Sequence, residues 1–476
     1  MEKKLHAGFA RVDITPRRAS VPLGGLGASE YRLSAVVQDP LHANAVALGN
    51  GDERCVYISV EILWIPTHYV NAYRAAITEA TGLPADRIFM CAIHTHSGPD
   101  PDSNLPSALQ YFQVELKENL VDAAKRALAD LKPAKLSYGV ALAGHPGAWL
   151  NCDRHYWCVP IDKKDNYTEA DLLPGVGEVK AGYQKGVGYA AVRHVEDVDH
   201  RVQVLRFTRD AADDVMIVNF AAHPCFVDGT RRPVVSSDYP GALVKRMEEI
   251  FPGTKCAYLN SCAGNVVSGT NIKEEGIWGI TYATKNPKDV KLRSHYAYAA
   301  ALAGCAYEAI ALNGKESETD TLAFGHEMYI GKVDHSKDHL APQAKEALKL
   351  FEQEGHTPAA KEWCHKSGLG NVYACGAILQ RAALPQTDEI ELNVIRIGDC
   401  AIATLPFDTF SSIGEYVKAH SPFAMTCMNA YSCGCHNYLP NKDAHPECYE
   451  ATRMRYEVGT GELLAEELSN MLKKLK

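Results

Sequence analysis

An α/β fold built on mixed, multi-stranded sheets with flanking helices is the class this sequence predicts, and two observations predict it. Runs rich in Val, Ile and aromatic residues alternate with longer segments of helical period along most of the 476 residues. The composition, 46% hydrophobic and 22% charged, is that of a globular chain able to bury a large core, which excludes coiled coil and disorder as the main architecture.

In chain order, RCVYISVEIL (54–63) reads as a buried strand and THYVNAYRAAITEATG (67–82) as a helix with a glycine stop. RIFMCAI (87–93) is the next strand, and ALQYFQVELKENLVDAAKRALADL (108–131) a long amphipathic helix. KLSYGVALA, VQVLRF, VMIVNFAA and KCAYL continue the strands, with helices near 240–251 and 294–312. Residues 145–200, rich in Gly, Asp, Tyr and His with weak period, are expected to form long loops. ELNVIRI, CAIATL and AMTCMNA add strands before a terminal helix, GELLAEELSNMLKKLK. The expected organisation is one large domain over residues 1–476, with a helical insertion at about 335–370 and a C-terminal subdomain at about 385–476.

Charge narrows the partners. The net charge is −9, and no run of Lys or Arg could track a phosphate backbone, so nucleic acid is not an expected partner. MEKKLHAGFARVDITP has no apolar core of a signal peptide, and nothing approaches the roughly 18–20 apolar residues of a membrane span. A cytoplasmic chain without a membrane anchor, acting on a small-molecule substrate, is the expectation. Fifteen irregularly spaced cysteines suit free thiols in a reducing compartment.

Five strands run directly into short polar motifs: RIFMCAI into HTHSGP, VMIVNFAA into HPC, KCAYL into NSCAGN, CAIATL into PFD, and AMTCMNA into YSCGCHNY. Ligands of open α/β sheets bind at the carboxyl ends of strands, where loops converge over a rigid scaffold. His94, His223 and Asp408 can supply two imidazole nitrogens and a carboxylate from three strands, a donor set that suits zinc. In an extended chain His94 and His96 point to the same side, so one can bind metal while the other handles a proton or an oxyanion. The plain alternatives are that the histidines close strands as ordinary buried groups, that Asp408 caps a helix starting in LPFD, and that SSDYPG (236–241) is a capping sequence.

AGFARVDITP, DPLHANAVAL, HTHSGP, NFAAHPC, SSDYPG and the NxY…YLP…YE stretch, in this order over about residues 6–470, resemble the neutral/alkaline ceramidase family, in particular its shorter bacterial members. The resemblance implies a zinc-dependent amidohydrolase with a ceramidase-like catalytic domain. It makes His94, His223, Asp408 and Tyr438 metal ligands, with Asp408 one methylene shorter than the family's glutamate. His96, Tyr449 and Arg154 become the catalytic and substrate-orienting residues. The chain departs from the family at SCAGNVVSG, where Val267 stands in place of a serine, and it stops after one terminal helix, so the immunoglobulin-like domain of the long ceramidases is expected to be absent. A second departure, SCGCHN, sets Cys433, Cys435, His436, His445 and Cys448 within a short stretch, readable as a second metal site or as reduced thiols lining a loop. The function expected is a zinc (Zn2+) hydrolase using metal-activated water on an amide or related acyl bond of a small polar substrate. The alternatives are a zinc enzyme acting on a sugar or polyol, and a non-catalytic ligand-binding relative.

Overall fold

The computed structural model describes residues 4–25, 32–145, 148–175, 189–227, 233–269, 294–355, 357–369, 372–446 and 448–476. The longer strands are β1 (Leu5–Asp13), β2 (His42–Asn50), β3 (Glu53–Val60), β4 (Ile88–Ala92), β5 (Lys132–Leu142), β6 (Arg201–Arg209), β7 (Asp214–Phe220), β8 (Thr254–Asn260), β9 (Leu322–Lys332), β10 (Thr387–Ile397), β11 (Cys400–Thr404) and β12 (Met425–Asn429). The helices used below are α1 (Thr67–Thr81), α2 (Leu116–Ala129), α3 (Asp238–Ile250), α4 (His295–Tyr307), α5 (Ala341–Glu354), α6 (Pro358–Lys366), α7 (Val372–Ala382), α8 (Ser411–His420), α9 (Tyr449–Arg453) and α10 (Thr460–Lys474).

The large sheet runs β8-β7-β6-β5-β1-β2-β3-β4, and the second sheet runs β9-β10-β11-β12. Strand alternation decides which layer each side chain enters. On β2, Ala43, Ala45 and Ala47 face α1 and α2, while Val46 and Leu48 face the second sheet. On β3, Val56, Ile58 and Val60 take the helix side, and Cys55 and Tyr57 the sheet side. Helices α3 and α4 cover the same side of β5–β8, and α8 and α10 cover the outer face of the second sheet. The product is a four-layer stack, helix, sheet, sheet, helix, in which both sheets are buried on both faces. Helices α5–α7 form their own small core between β9 and β10 in the chain.

Three parallel pairs matter for function: β3 with β4, β7 with β8, and β11 with β12. Strands β4 and β8 are the two edges of the large sheet, and the chain following β12 ties them together. Ala430 N–H donates to the Asn260 carbonyl at the end of β8 (3.1 Å), Ala92 N–H to the Tyr431 carbonyl (3.1 Å), and Cys433 N–H to the Met90 carbonyl on β4 (2.7 Å). Side-chain amides reinforce the closure: Asn429 Nδ2 donates to the Asn260 carbonyl (2.8 Å), and Asn219 Nδ2 on β7 donates to the Leu259 and Met428 carbonyls (2.9 and 2.8 Å). The carboxyl ends of β4, β7, β8, β11 and β12 therefore meet in one place.

Several expectations are corrected. The helix expected over 108–131 begins at Pro106 and passes through a π-turn at Tyr111–Glu115 before α2. The Tyr73 hydroxyl donates to the Phe112 carbonyl (2.7 Å), taking an acceptor from the helix ladder at that turn. Residues 145–200 are not all loop: Asn151–Asp153 pairs with Val266–Ser268, and Tyr156–Pro160 lies between Leu173–Gly175 and Tyr189–His194, while 146–147 and 176–188 fall outside the described residues. Asp408 is not a helix cap; Phe410 holds that position before α8, and Asp408 sits in a short strand paired with Tyr438. Ser237, at the head of α3, makes no side-chain capping bond.

Gly139 on β5 tests the packing between the large sheet and the end of the α4 segment, because an added Cβ would stand 1.8 Å from the Ala309 carbonyl oxygen. Gly139→Ala is expected to lower stability by about 1–3 kcal/mol, seen as a reduced urea midpoint at unchanged slope.

Candidate metal centre

The second residue beyond β4 sets the geometry. His94 adopts φ +70°, which ends the extended chain at that point. The argument from strand alternation therefore fails locally, yet the rings of His94 and His96 still converge, with their Nε2 atoms 3.2 Å apart. His223, three residues beyond β7, joins them; one nitrogen from each of the three rings lies within 4.8 Å of the others. Each of the two deeper rings is oriented from behind. His94 Nδ1 lies 2.9 Å from the Leu63 carbonyl and His223 Nδ1 3.0 Å from the Val266 carbonyl. A carbonyl can only accept, so Nδ1 carries the proton and Nε2 presents a lone pair to the shared space.

Asp408 completes the cluster. Its Oδ2 is 3.3 Å from His223 Nε2 and 3.7 Å from His94 Nε2. His223 Nε2 and both Asp408 oxygens are buried without a hydrogen-bond partner, which a native interior avoids unless something else satisfies them. Bonds of about 2.0–2.2 Å to a tetrahedral ion separate neighbouring ligand atoms by about 3.3–3.6 Å, and these spacings bracket that range. Nitrogen and carboxylate donors at this separation fit zinc.

The electrostatics favour neutral rings at His94 and His96 beside a charged Asp408 carboxylate. Burial holds His94 well below its ordinary value, with the charge of Asp408 opposing and His96 and His223 reinforcing it. Burial and His223 bring His96 down to about 3. Burial raises the Asp408 carboxyl, but the neighbouring His223 and His94 outweigh it and leave it down to about 2.

Tyr438 enters from the strand beside Asp408, in register with it and on the same face. Burial, Asp408 and Tyr449 push its phenol well above the usual range. Tyr449, the first residue of α9, packs edge-on against Tyr438, ring centres 5.5 Å apart. Arg154 lies close enough to Asp408 and Tyr438 for their charges to act on it, and forms an ion pair with Glu450 at 2.9 Å. All seven residues singled out in the sequence therefore belong to one neighbourhood.

The cysteine-rich stretch does not stay together. Cys433 is buried between the sheets, His436 Nδ1 meets the Tyr456 hydroxyl at 2.5 Å, and Cys448 lies beside His155 and Glu450. Positive φ at Tyr431, Cys433, Gly434 and Asn437 turns successive side chains into different compartments.

Sequence reasoning missed Tyr431, whose ring stacks on His94 at 3.9 Å and 15°. Its buried hydroxyl faces Asp408, whose charge raises the phenol, without the alignment of a full hydrogen bond. Tyr431 stands two residues beyond β12, so the strand-end rule that found the histidines could have found it. Arg32 was also missed; its Nη2 donates to the His96 carbonyl at 2.7 Å, a contact that no local pattern signals. SSDYPG proves to brace the site, since Thr95 Oγ1 donates to the Ser236 carbonyl (2.7 Å) and Asp238 accepts the Val227 N–H (2.9 Å).

The chain is similar to the crystal structure of neutral ceramidase from Pseudomonas aeruginosa, with TM-score 0.68 and 18% identity over 100% of this chain and 75% of that one. It is similar in the same coverage to a ceramidase complexed with C2, with TM-score 0.66 and 17% identity. No family model matches the sequence, and no curated protein matches it. The likeness establishes a ceramidase-like fold.

Two measurements probe the centre. A Cβ at Gly264 would lie 2.7 Å from the Asp408 carbonyl oxygen, so Gly264→Ala should displace Asp408 and weaken zinc binding by about 10–100-fold in chelator competition. Burial raises the Glu450 carboxyl, but Arg154 and His155 bring it from 4.5 to about 2. Its contribution to stability is present above pH 4.5 and lost as pH falls toward about 2. The difference in urea midpoint between wild type and Glu450→Gln should shrink over that window.

Proposed function

We propose that this protein is a zinc-dependent hydrolase of an amide or related acyl bond in a small polar substrate. The observation that carries the reading is the set of buried, unpartnered ligand atoms, His223 Nε2 and both Asp408 oxygens, beside the converging ring nitrogens of His94 and His96. The fold shared with two ceramidase structures supports the reaction class.

His94, His223, Asp408 and Tyr438 hold the ion. When bound, zinc supplies Lewis acidity toward a carbonyl oxygen and brings the pKa of a water it holds from about 15.7 to about 7. His96 is more open than His94 and His223, and its neutral ring can take a proton from the attacking water and return it to the leaving group. Tyr449, half-buried against Tyr438, carries a phenolic O–H that donates a hydrogen bond to the developing oxyanion. Arg154 orients the substrate through its fixed fork of donors. Val267, buried in the short strand beside His223, offers no hydroxyl where the ceramidase resemblance expects one, which favours a small polar substrate over ceramide. Absence of an anchoring helix fits the same reading: among the described residues no helix is long and apolar enough to cross a membrane.

His94→Ala should lose both stoichiometric zinc and activity, measured by elemental analysis and by amine release from a panel of N-acyl amino acids. His96→Gln should keep the metal and lose about 10²–10⁴-fold in kcat. Release of reducing sugar from glycosides, with no amine released from any N-acyl compound, would sink the amide assignment.

A further inference from the structure

Beside the metal centre lies a second buried group of potential ligands, His155, Cys448 and Glu450, whose donor atoms also fall within 4.8 Å of one another. Its chemistry differs from that of the first group. Both Glu450 oxygens are claimed by cations: Oε1 is 2.9 Å from Arg154 Nη1, and Oε2 is 2.9 Å from His155 Nε2. His155 Nδ1 is 3.2 Å from Asp153 Oδ1. An imidazole with a carboxylate at each nitrogen is a stable imidazolium, and burial is overcome by Glu450 and Asp153 in holding it charged. An imidazolium has no lone pair for a metal. Cys448 Sγ has a structural use, accepting the Ala451 N–H at the start of α9 (3.4 Å).

We propose that Glu450 is a positioning residue that sets Arg154 as an anion anchor beside the metal centre, with His155 and Asp153 fixing Glu450 in turn. Asp153 is itself held, since its Oδ1 accepts the His155 N–H (3.0 Å) and its Oδ2 the Glu196 N–H (2.9 Å). The backbone of Arg154 is fixed as well, its N–H donating to the Asn265 carbonyl (2.7 Å). Glu450 follows Tyr449 in the chain, so one short helix carries both the tyrosine that packs on Tyr438 and the carboxylate that holds the arginine. Two neutralised pairs, Arg154 with Glu450 and His155 with Asp153, let a guanidinium stay buried near Asp408 without collapsing onto it. The substrate implied, resting on the proposed zinc hydrolase reading, carries an anionic group such as a carboxylate a few bonds from the scissile carbonyl.

The test uses the zinc-loaded full chain and two hydroxamates, neutral acetohydroxamate and the monohydroxamate of succinate, titrated by calorimetry. Wild type should bind the carboxylate-bearing probe about tenfold or more tightly than the neutral one. Glu450→Gln should abolish that preference while leaving affinity for acetohydroxamate and the zinc content unchanged, and Glu450→Asp should restore part of it. Arg154→Ala should remove the preference, and adding Glu450→Gln to it should cost nothing further. Equal binding of the two probes by wild type, survival of the preference in Glu450→Gln with Arg154 intact, or loss of one of two zinc ions in Cys448→Ala would overturn the inference. Failure of wild type to bind either probe would overturn the zinc reading along with it. Should Glu450→Gln unfold, the Asp variant against Arg154→Ala gives the same comparison.

Discussion

Everything at the metal centre depends on the closure of the large sheet by the segment that follows β12. A sheet with helices on one face and a second sheet on the other has no intrinsic reason to bring its edge strands together. Here Asn429 to Cys433 lends backbone groups to β4 on one side and to the end of β8 on the other. Buried amides of Asn219 and Asn429 span the same seam. A buried amide donor left unpaired is costly, and the Nδ2 groups of these asparagines reach their full set of acceptors only in the closed arrangement. The seam thereby converts strand ends that are remote within the sheet into neighbours, and it carries Tyr431 onto the face of His94.

The centre and the cluster beside it solve opposite problems in the same low-dielectric setting. The interior keeps the rings of His94 and His96 neutral, and His223 Nε2 and both Asp408 oxygens have no hydrogen-bond partner. Each such atom costs about 1–3 kcal/mol unless something satisfies it. Around Glu450 every charge is answered: two cations meet two carboxylates, and the peripheral carboxylate is held by backbone amides. The second group already pairs its two carboxylates with two cations, whereas Asp408 faces only rings, which is the physical basis for proposing the ion at the first group and not at the second.

How much of this could be read from the chain differs by element. Strands such as β3 and β4, and helices α1 and α10, were legible because apolar spacing and a glycine stop are local signals. The gathering of His94, His223 and Asp408 was legible by a topological rule, since ligands collect at carboxyl ends of strands. The π-turn at Tyr111 was not, because it depends on a hydroxyl from α1 reaching across to a helix carbonyl. The short strands within 145–200 take their pairing from Val266–Ser268 and from one another, which no window of local sequence contains. Of the two readings of the cysteine-rich stretch, the second metal site needed proximity in sequence to be proximity in space, and left-handed residues between the thiols sent them apart. Asp408 could be read as a cap or as a ligand, and its pairing with Tyr438, with Phe410 at the cap, rules out the first.

The seam formed by residues 429–433 also sets an order of events during synthesis. Its partners on β4 and β8 emerge early, but they can be joined only after nearly the whole chain has left the ribosome. The cluster of His94, His223, Asp408 and Tyr438 is therefore assembled last, by contacts of long sequence separation. A chain that lacks the final fifth loses most of the second sheet along with the seam, and Asp408 and Tyr438 with it. The candidate metal centre can form only in a chain translated at least as far as Tyr438.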